Sequence, residues 1–300
     1  YRKLSTTEVD EWIESRLDLE RKQQAEIDGG IVDVNFEIDE KTFCENIDNI
    51  HSQIRKGETY QVNYTFNVTG KTYGSTLGLY KRLRQRQHCR YGALIYCGGN
   101  RILSFSPELF LSKTGTNILT KPMKGTLSSR QHSAQDLKND KKNRAENVMI
   151  VDLLRNDLSR ISKVGSVRTP KLFEVENVGD ILQMTSSVTS EISPDIKITD
   201  LLRATFPCGS ITGAPKKATM GIISELEHSG RGIYCGSLGW FDAVTSGHKG
   251  FPDFTLNVAI RTLEIDNKNN FSFGVGSGVT IDSKGQTEWN ECLLKSNFFV

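Results

Sequence analysis

Between Lys41 and Arg55 the apolar residues Phe43, Ile47, Ile50 and Ile54 recur every three or four positions, and Gly57 follows. That spacing places them on one face of an α-helix. The charged stretch TTEVDEWIESRLDLERKQQAE behaves alike: Val9, Trp12, Ile13 and Leu17 are in phase behind a threonine able to cap, and Gly29-Gly30 breaks the pattern. A third run, from about Ser133 to Ile161, contains NRAENVMIVDLLRNDLSRI. Val148, Ile150, Val151, Leu153, Leu154 and Leu158 cover most of its circumference, which predicts a buried helix. Pro215 to Glu227, with proline in the first turn and Gly230 just past the end, and Thr287 to Phe299 also read as helices.

Elsewhere the period is two. TYQVNYTFNVT, residues 59 to 69, interleaves β-branched or aromatic residues with polar ones, and RILSFS, LFLSKTG, NILT, GIYCGSLGWFD, FTLNVAIRTLEI and FSFGVGSGV read likewise as strands between turns. Strands mixed with long helices, without βα alternation, predict an α+β architecture. Residues 1–40 read as an N-terminal helix and linker, and 41–300 as a single domain.

At 300 residues the chain can bury a large core. Its 38 basic and 36 acidic residues nearly cancel, so no overall field draws it to nucleic acid or to an anionic membrane. An anionic ligand must be held by a local site. Cys44, Cys89, Cys97, Cys208, Cys235 and Cys292 are scattered with no C-x-x-C, which argues against zinc and a disulfide framework and for a reducing compartment. Apolar runs such as ALIYC are too short to cross a bilayer, and the charged start has no signal-peptide core. The expectation is a soluble protein of the cytoplasm, with an organelle as the alternative. Its start at tyrosine points to part of a longer protein. The N-x-T matches at Asn63 and Asn67 lie in a strand-like run and read as chance.

Candidate chemistry starts in EWNECLLK, where Glu288, Glu291 and Lys295 share one helix face. A solvated Glu-Lys ladder is the plain reading, but Trp289, Leu293, Leu294 and Phe298 leave little of that helix polar. Glu146 sits one turn before Ile150 on the apolar helix and needs a partner, which Arg144 or Arg155 could supply. Helix-borne glutamates without His or Cys also suit a hard, oxygen-preferring ion such as Mg²⁺. Arg155-Asn156-Asp157 reads as structural pairing. FPCGSITGAPK, with Ser210 and Thr212, and GVGSG, with Gly274, Gly276 and Gly278, can offer backbone N–H groups to an anion or be simple tight turns. Lys124, in TKPMKGT, is a surface charge, an anion clamp or a nucleophile. With an ordinary pKa of about 10.4, a lysine is neutral in roughly 1 part in 2,500 at pH 7, so a nucleophilic role must offset about 4.6 kcal/mol. Lys121 or a nearby Mg²⁺ could contribute to that offset.

Together, YQVN, SFSPELF, KPMKGT, NRAENVMIVDLLRNDLSRI, FPCGSITGAPK, RGIYCGSLGWFD, AIRTL and GVGSGV running into EWNECLLK resemble the chorismate-utilising enzymes, in that family's order, over roughly residues 40 to 298. Within it the resemblance is first to component I of the aminodeoxychorismate synthases, then to component I of the anthranilate synthases. It implies two large, mostly antiparallel sheets packed as a sandwich with helices outside, and residues 41–300 as the chorismate-binding catalytic domain. It also implies a step toward para-aminobenzoate and folate. Family members that use water carry a lysine base where this chain has Gln61, so ammonia is the implied nucleophile. Anthranilate synthases typically show alanine where this chain has Lys124.

By resemblance, Lys124 attacks C2 of chorismate as the C4 hydroxyl leaves, with Glu108 as general acid, and ammonia then expels the lysine. Glu146 and Glu291 would hold Mg²⁺ against the ring carboxylate, Glu288 reaching it through water and Lys295 lying near the same group. Arg261, Tyr234 and the amides of Gly276 and Gly278 would take the pyruvyl carboxylate, and Thr212, Gly125 and Thr126 would line the ring. Ammonia would come from a glutamine amidotransferase subunit or fused domain. Gln183 and Leu127 depart from the family pattern, which often has histidine and arginine there, and the family's longer N-terminal region is not seen. The rival readings are an anthranilate synthase component I and a catalytically silent member of the family serving as a binding module.

Overall fold

The computed structural model describes residues 4–22, 28–87, 89–178, 181–243 and 250–297. The chain opens with α1 (Thr6–Lys22), whose first turn is closed by Ser5 and Glu8 capping each other's backbone N–H groups. The stretch read as a linker then carries a strand, β1 (Gly30–Phe36). Asp39 accepts from the Thr42 N–H and starts α2 (Glu40–Arg55), one residue ahead of the sequence expectation. There follow β2 (Gln61–Tyr73), α3 (Thr76–Arg86), β3 (Tyr91–Cys97), β4 (Asn100–Ser106), β5 (Leu109–Thr114), β6 (Asn117–Lys121) and β7 (Met123–Ser128).

The long helix expected from Ser133 is two, α4 (Ala134–Asn139) and α5 (Lys141–Ser159). Asp140 ends the first with an extended backbone and caps the second by accepting from the Asn143 N–H. Nor is α5 apolar all round, since Val148 is exposed. Next come β8 (Arg168–Val178), β9 (Ile181–Glu191), α6 (Ile198–Thr205), the short β10 (Gly213–Ala214) and α7 (Lys216–Leu226). The chain ends with β11 (Gly239–Phe241), β12 (Phe254–Asn257), β13 (Thr262–Ile265), β14 (Asn270–Val279) and α8 (Gly285–Ser296); the rest of the last predicted helix, with Phe298, lies outside the described residues.

Among the described residues all named pairings are antiparallel and build two seven-stranded sheets. Sheet A has the order β1-β2-β14-β13-β4-β3, with β10 attached to β2. In sheet B, β11-β12-β5-β6 leads to β9, and β7 prolongs β6 along that same edge of β9 past Pro122, while β8 also pairs with β9. The architecture is α+β with two antiparallel sheets, as the sequence led us to expect.

Alternation along the strands decides which faces bury apolar groups. Val62, Tyr64, Phe66 and Val68 of β2 and Phe273, Val275 and Val279 of β14 share a core with Ile13 and Leu17 of α1, Phe43, Ile47 and Ile50 of α2, and Trp289 of α8. An aromatic cluster pins α8 there: the Trp289 ring stacks on Phe66 at 5.4 Å and lies 5.4 Å from Phe43. A second core joins Phe110, Leu111, Val188 and Phe254 of sheet B to Ile150, Val151, Leu154 and Leu158 of α5. Among the described residues no helix is long and apolar enough to cross a membrane.

The chain crosses between the sheets twice near one place. From β4 in sheet A it passes through Pro107 and Glu108 into β5 of sheet B, and from β12 in sheet B through Val258–Arg261 into β13 of sheet A. The crossings are tied together: Val258 N–H donates to Glu108 O, Ser106 Oγ to Val258 O, and Phe105 N–H to Arg261 O. FTLNVAIRTLEI, expected as one strand, is therefore two strands in different sheets. The break sits at Arg261, which has a positive φ of 51°.

Candidate active site

The face of sheet A opposite its apolar core is lined by Gln61, Asn63 and Thr65 of β2 and by Gly274, Gly276 and Gly278 of β14. The glycines leave room that other residues use. A Cβ on Gly274 would strike the Tyr234 ring at 2.0 Å, and one on Gly278 would lie 2.8 Å from Gln61 Nε2 and 3.4 Å from Lys124 Nζ. Lys124 thus extends from sheet B to the glycine face of sheet A. It does so because β7 is bulged: Met123 pairs with Thr185 and Thr126 with Gln183, leaving one extra residue in the Lys124-Gly125 stretch. Gly125 takes φ +88°, and a Cβ there would come within 2.9 Å of Asn143 on α5.

Glu108, at the first crossing, is 4% exposed and accepts a 2.8 Å hydrogen bond from Ser210 Oγ. Burial pushes its pKa up to about 7, against the opposing pull of the Ser210 bond, the Lys124 charge and the Met123 N–H. A carboxyl poised there can hold or release a proton near neutral pH. Ser210 was noted in the sequence only as part of a glycine-rich loop; its tie to Glu108 joins positions 102 apart and leaves no local trace.

On the other side stand the helix-borne carboxylates. Burial raises the pKa of Glu146, with Glu288 and Glu291 adding to the effect and Lys124 and Lys142 opposing it. Glu146 meets Lys142 at 3.9 Å and not Arg144 or Arg155; Arg144 lies over the Phe173 ring and Arg155 pairs with Asp152. Asp157 pairs with Lys216 at 2.5 Å, the structural role expected of its triplet. Glu288 is buried. For Glu291 burial acts upward, but Lys295, 2.7 Å away, with Lys124 and Lys142, brings the carboxyl below its ordinary range. Lys295 also donates to Gly276 O at 2.8 Å, linking α8 to β14.

These oxygen-only donors suit a hard dication, and the charges of Glu288 and Glu291 that make Glu146 harder to ionise give such an ion something to neutralise. No three His, Cys, Asp or Glu side chains among the described residues stand as a formed metal cluster. Lys121, the cation considered as a neighbour for Lys124, is engaged by Glu176 at 3.5 Å.

The remaining predicted residues divide between a wet and a dry part. Thr126 is exposed, whereas Thr212 is buried, donating from Oγ1 to Cys208 O at 2.9 Å and accepting at its carbonyl from Asn63 N–H. Tyr234 is buried enough to raise its phenol pKa well above the usual value. Burial lowers the pKa of Arg261, and among the described residues its Nη1 has no partner and neither amide atom of Gln61 has one. Buried donors and acceptors left without partners are expensive, so these point to a polar ligand between the sheets. Gln183 is buried opposite Thr126.

This arrangement defines a class. The chain matches the chorismate binding enzyme family over residues 2–300 and belongs to it. It is 35% identical over 261 residues to an aminodeoxychorismate synthase component 1 of Salmonella typhimurium, covering 85% of this chain and 56% of that protein. It is also 35% identical over 271 residues to an anthranilate synthase component 1 of Haloarcula marismortui, covering 88% of this chain and 52% of that one. The crystal structure of anthranilate synthase component I from Streptococcus pneumoniae superposes with a TM-score of 0.81 at 29% identity, over 99% of this chain and 67% of that one. The chain thus spans about half the length of the curated relatives it matches.

Proposed function

We propose that this chain aminates chorismate with ammonia, giving 4-amino-4-deoxychorismate through a covalent adduct on Lys124. The observation that carries the reading is the position of Lys124 Nζ, extended through a β-bulge to Gly278 and Gln61 of the opposite sheet. A buried acid, Glu108, whose pKa lies near 7, feels its charge. The name of the Salmonella typhimurium relative supports the same reading.

Chorismate would lie between the sheets with one carboxylate at each end. Arg261, Tyr234 and the amides of Gly276 and Gly278 would take the pyruvyl carboxylate, satisfying the free Nη1 of Arg261. Glu146 and Glu291, with Glu288 through water, would hold Mg²⁺, which supplies charge neutralisation for the ring carboxylate; Lys295 would lie beside that group. Thr212, Gly125 and Thr126 would border the ring.

Deprotonated Lys124 Nζ bonds to ring C2, both ring double bonds shift by one position, and the C4 hydroxyl leaves as water with the proton of Glu108. Ammonia then bonds at C4, both double bonds return, and Lys124 departs as an amine. Glu108 recovers its proton from the added nitrogen. The balance is chorismate plus ammonia giving aminodeoxychorismate plus water. Gln61, where a water-using relative would carry a basic lysine, offers amide groups and no base. Ammonia would be delivered by a glutamine amidotransferase subunit or domain, in keeping with relatives named component 1. The free cysteines fit a reducing compartment, the cytoplasm or an organelle.

The test is incubation of the chain with chorismate, Mg²⁺ and an ammonium salt, followed by product identification. Aminodeoxychorismate is expected. Anthranilate with pyruvate would instead support the anthranilate synthase reading, and unchanged chorismate the silent binding module.

A further inference from the structure

The segment ELEHSGR puts Glu227 at the C-terminal end of α7 and Arg231 four residues on. Their side chains are 7% and 16% exposed. Arg231 grips Glu227 at two points, Nε to Oε2 at 2.8 Å and Nη2 to Oε1 at 2.6 Å. From this pair, bonds lead to the walls of the candidate site. Glu227 Oε1 accepts from the N–H and the hydroxyl of Thr65, each at 2.9 Å. Arg231 Nη1 donates to Ile211 O and Nη2 to Asn63 O, both at 2.7 Å.

Three segments of the site meet at this ion pair. Asn63 and Thr65 are the β2 residues that face Gly278 and Gly276 in register. Ile211 precedes Thr212, whose carbonyl accepts from Asn63 N–H at 2.7 Å. Tyr234 follows Arg231 by three residues and packs over Gly274. Charge-assisted bonds from a planar fork fix geometry in a way a point charge cannot.

We infer that Glu227 and Arg231 are positioning residues: they clamp the 209–213 loop and the Tyr234 turn onto β2 and so set the width of the substrate cleft. They act through Thr212 and Tyr234, not on the reacting atoms. Lys124 and Glu108 are carried by other segments, β7 and the first sheet crossing, and the clamped loop reaches them only through the Ser210–Glu108 bond, whose loss raises the acid's pKa and leaves it protonated at neutral pH. Loosening the clamp therefore weakens substrate binding more than it slows chemistry. The inference rests on the chorismate reading only for the identity of the substrate.

The experiment compares the full chain with Glu227→Gln, which keeps the shape and removes the charge, and with Arg231→Lys. Asp253→Asn serves as comparator, because it breaks the Lys113–Asp253 pair on sheet B, 2.9 Å long, without touching the cleft. In both clamp variants, amide hydrogen exchange across residues 209–215 should rise about tenfold while exchange across 123–128 stays as in the parent. KM for chorismate should rise about tenfold with kcat changed less than about threefold. The comparator should lower Tm and leave both readouts alone. Clamp variants that lose Tm as the comparator does, yet keep loop exchange and KM, would overturn the inference. If the parent chain fails to turn chorismate over, the functional reading falls by itself, and loop exchange alone then decides the clamp.

Discussion

Ser210 Oγ donates a 2.8 Å hydrogen bond to Oε1 of Glu108, holding the buried acid of the site from a loop 102 residues away in sequence. This bond favours the ionised form, and burial favours the protonated one; burial prevails, and the pKa stands at about 7.

Loss of the Ser210 bond should therefore move the acid further up. A general acid must be protonated to act, so the rate falls as pH rises through its pKa. In Ser210→Ala the alkaline limb of kcat/KM is expected about one pH unit higher than in the parent protein. A pH–rate profile between pH 6 and 10, about two units either side of the expected limb, reads the shift.

The same shift has a consequence for stability. The folded pKa of Glu108, about 7, lies above the ordinary 4.5, so the folded state binds this proton more tightly than the unfolded one. The sign follows: the contribution of Glu108 to stability falls as pH rises from about 4.5 to about 7 and is level above that. Glu108→Gln removes the titration. Relative to the parent, its stability should rise by about 3 kcal/mol across that window, while amination is lost. Urea unfolding at pH 4.5 and 8 measures the difference.

Gly278 and Gly276 should respond in opposite ways to alanine. At Gly278 the added methyl meets the movable ends of Gln61 and Lys124, so the fold should survive at a cost of about 1 kcal/mol while turnover drops at least tenfold, about 1.4 kcal/mol in barrier. At Gly276 the methyl would lie 2.2 Å from the Tyr64 carbonyl oxygen, which can yield only if β2 moves. Soluble expression and Tm should separate the two variants before any assay.

Much of the candidate site was legible in the sequence because its residues sit in short, continuous stretches. KPMKGT carried Lys124, SPELF carried Glu108, and helical spacing put Glu288, Glu291 and Lys295 on one face. The α2 and α7 boundaries were readable for a similar reason, a periodic run followed by Gly57 in one and a proline in the first turn with Gly230 beyond the end in the other. What escaped depends on contacts between distant segments. Alternating hydrophobicity cannot say that FTLNVAIRTLEI changes sheets at Arg261, since both halves alternate correctly. Strands β3, β7, β8, β9 and β10 and helices α3 and α6 were not read, β1 was hidden in a stretch that reads as linker, and of GIYCGSLGWFD, which reads as a strand, only Gly239–Phe241 is one. Glu227 and Arg231 did leave a local trace, their spacing of four at the end of α7, but only the fold shows that this pair reaches Asn63 and Ile211.

The Lys124 nitrogen should be indispensable to chemistry and dispensable to folding. Lys124→Ala is expected to lose amination by about a thousandfold or more. Its Tm should stay within about 3 °C of the parent, because the side chain belongs to neither apolar core.

Mass spectrometry of the full chain incubated with chorismate and Mg²⁺, without ammonia, and then digested asks whether Lys124 itself bonds to the substrate. The peptide containing Lys124 should gain the mass of chorismate less one water, and the gain should vanish on adding ammonium. An unmodified Lys124 at every time point, in protein that converts chorismate to aminodeoxychorismate once ammonium is supplied, would contradict the covalent route.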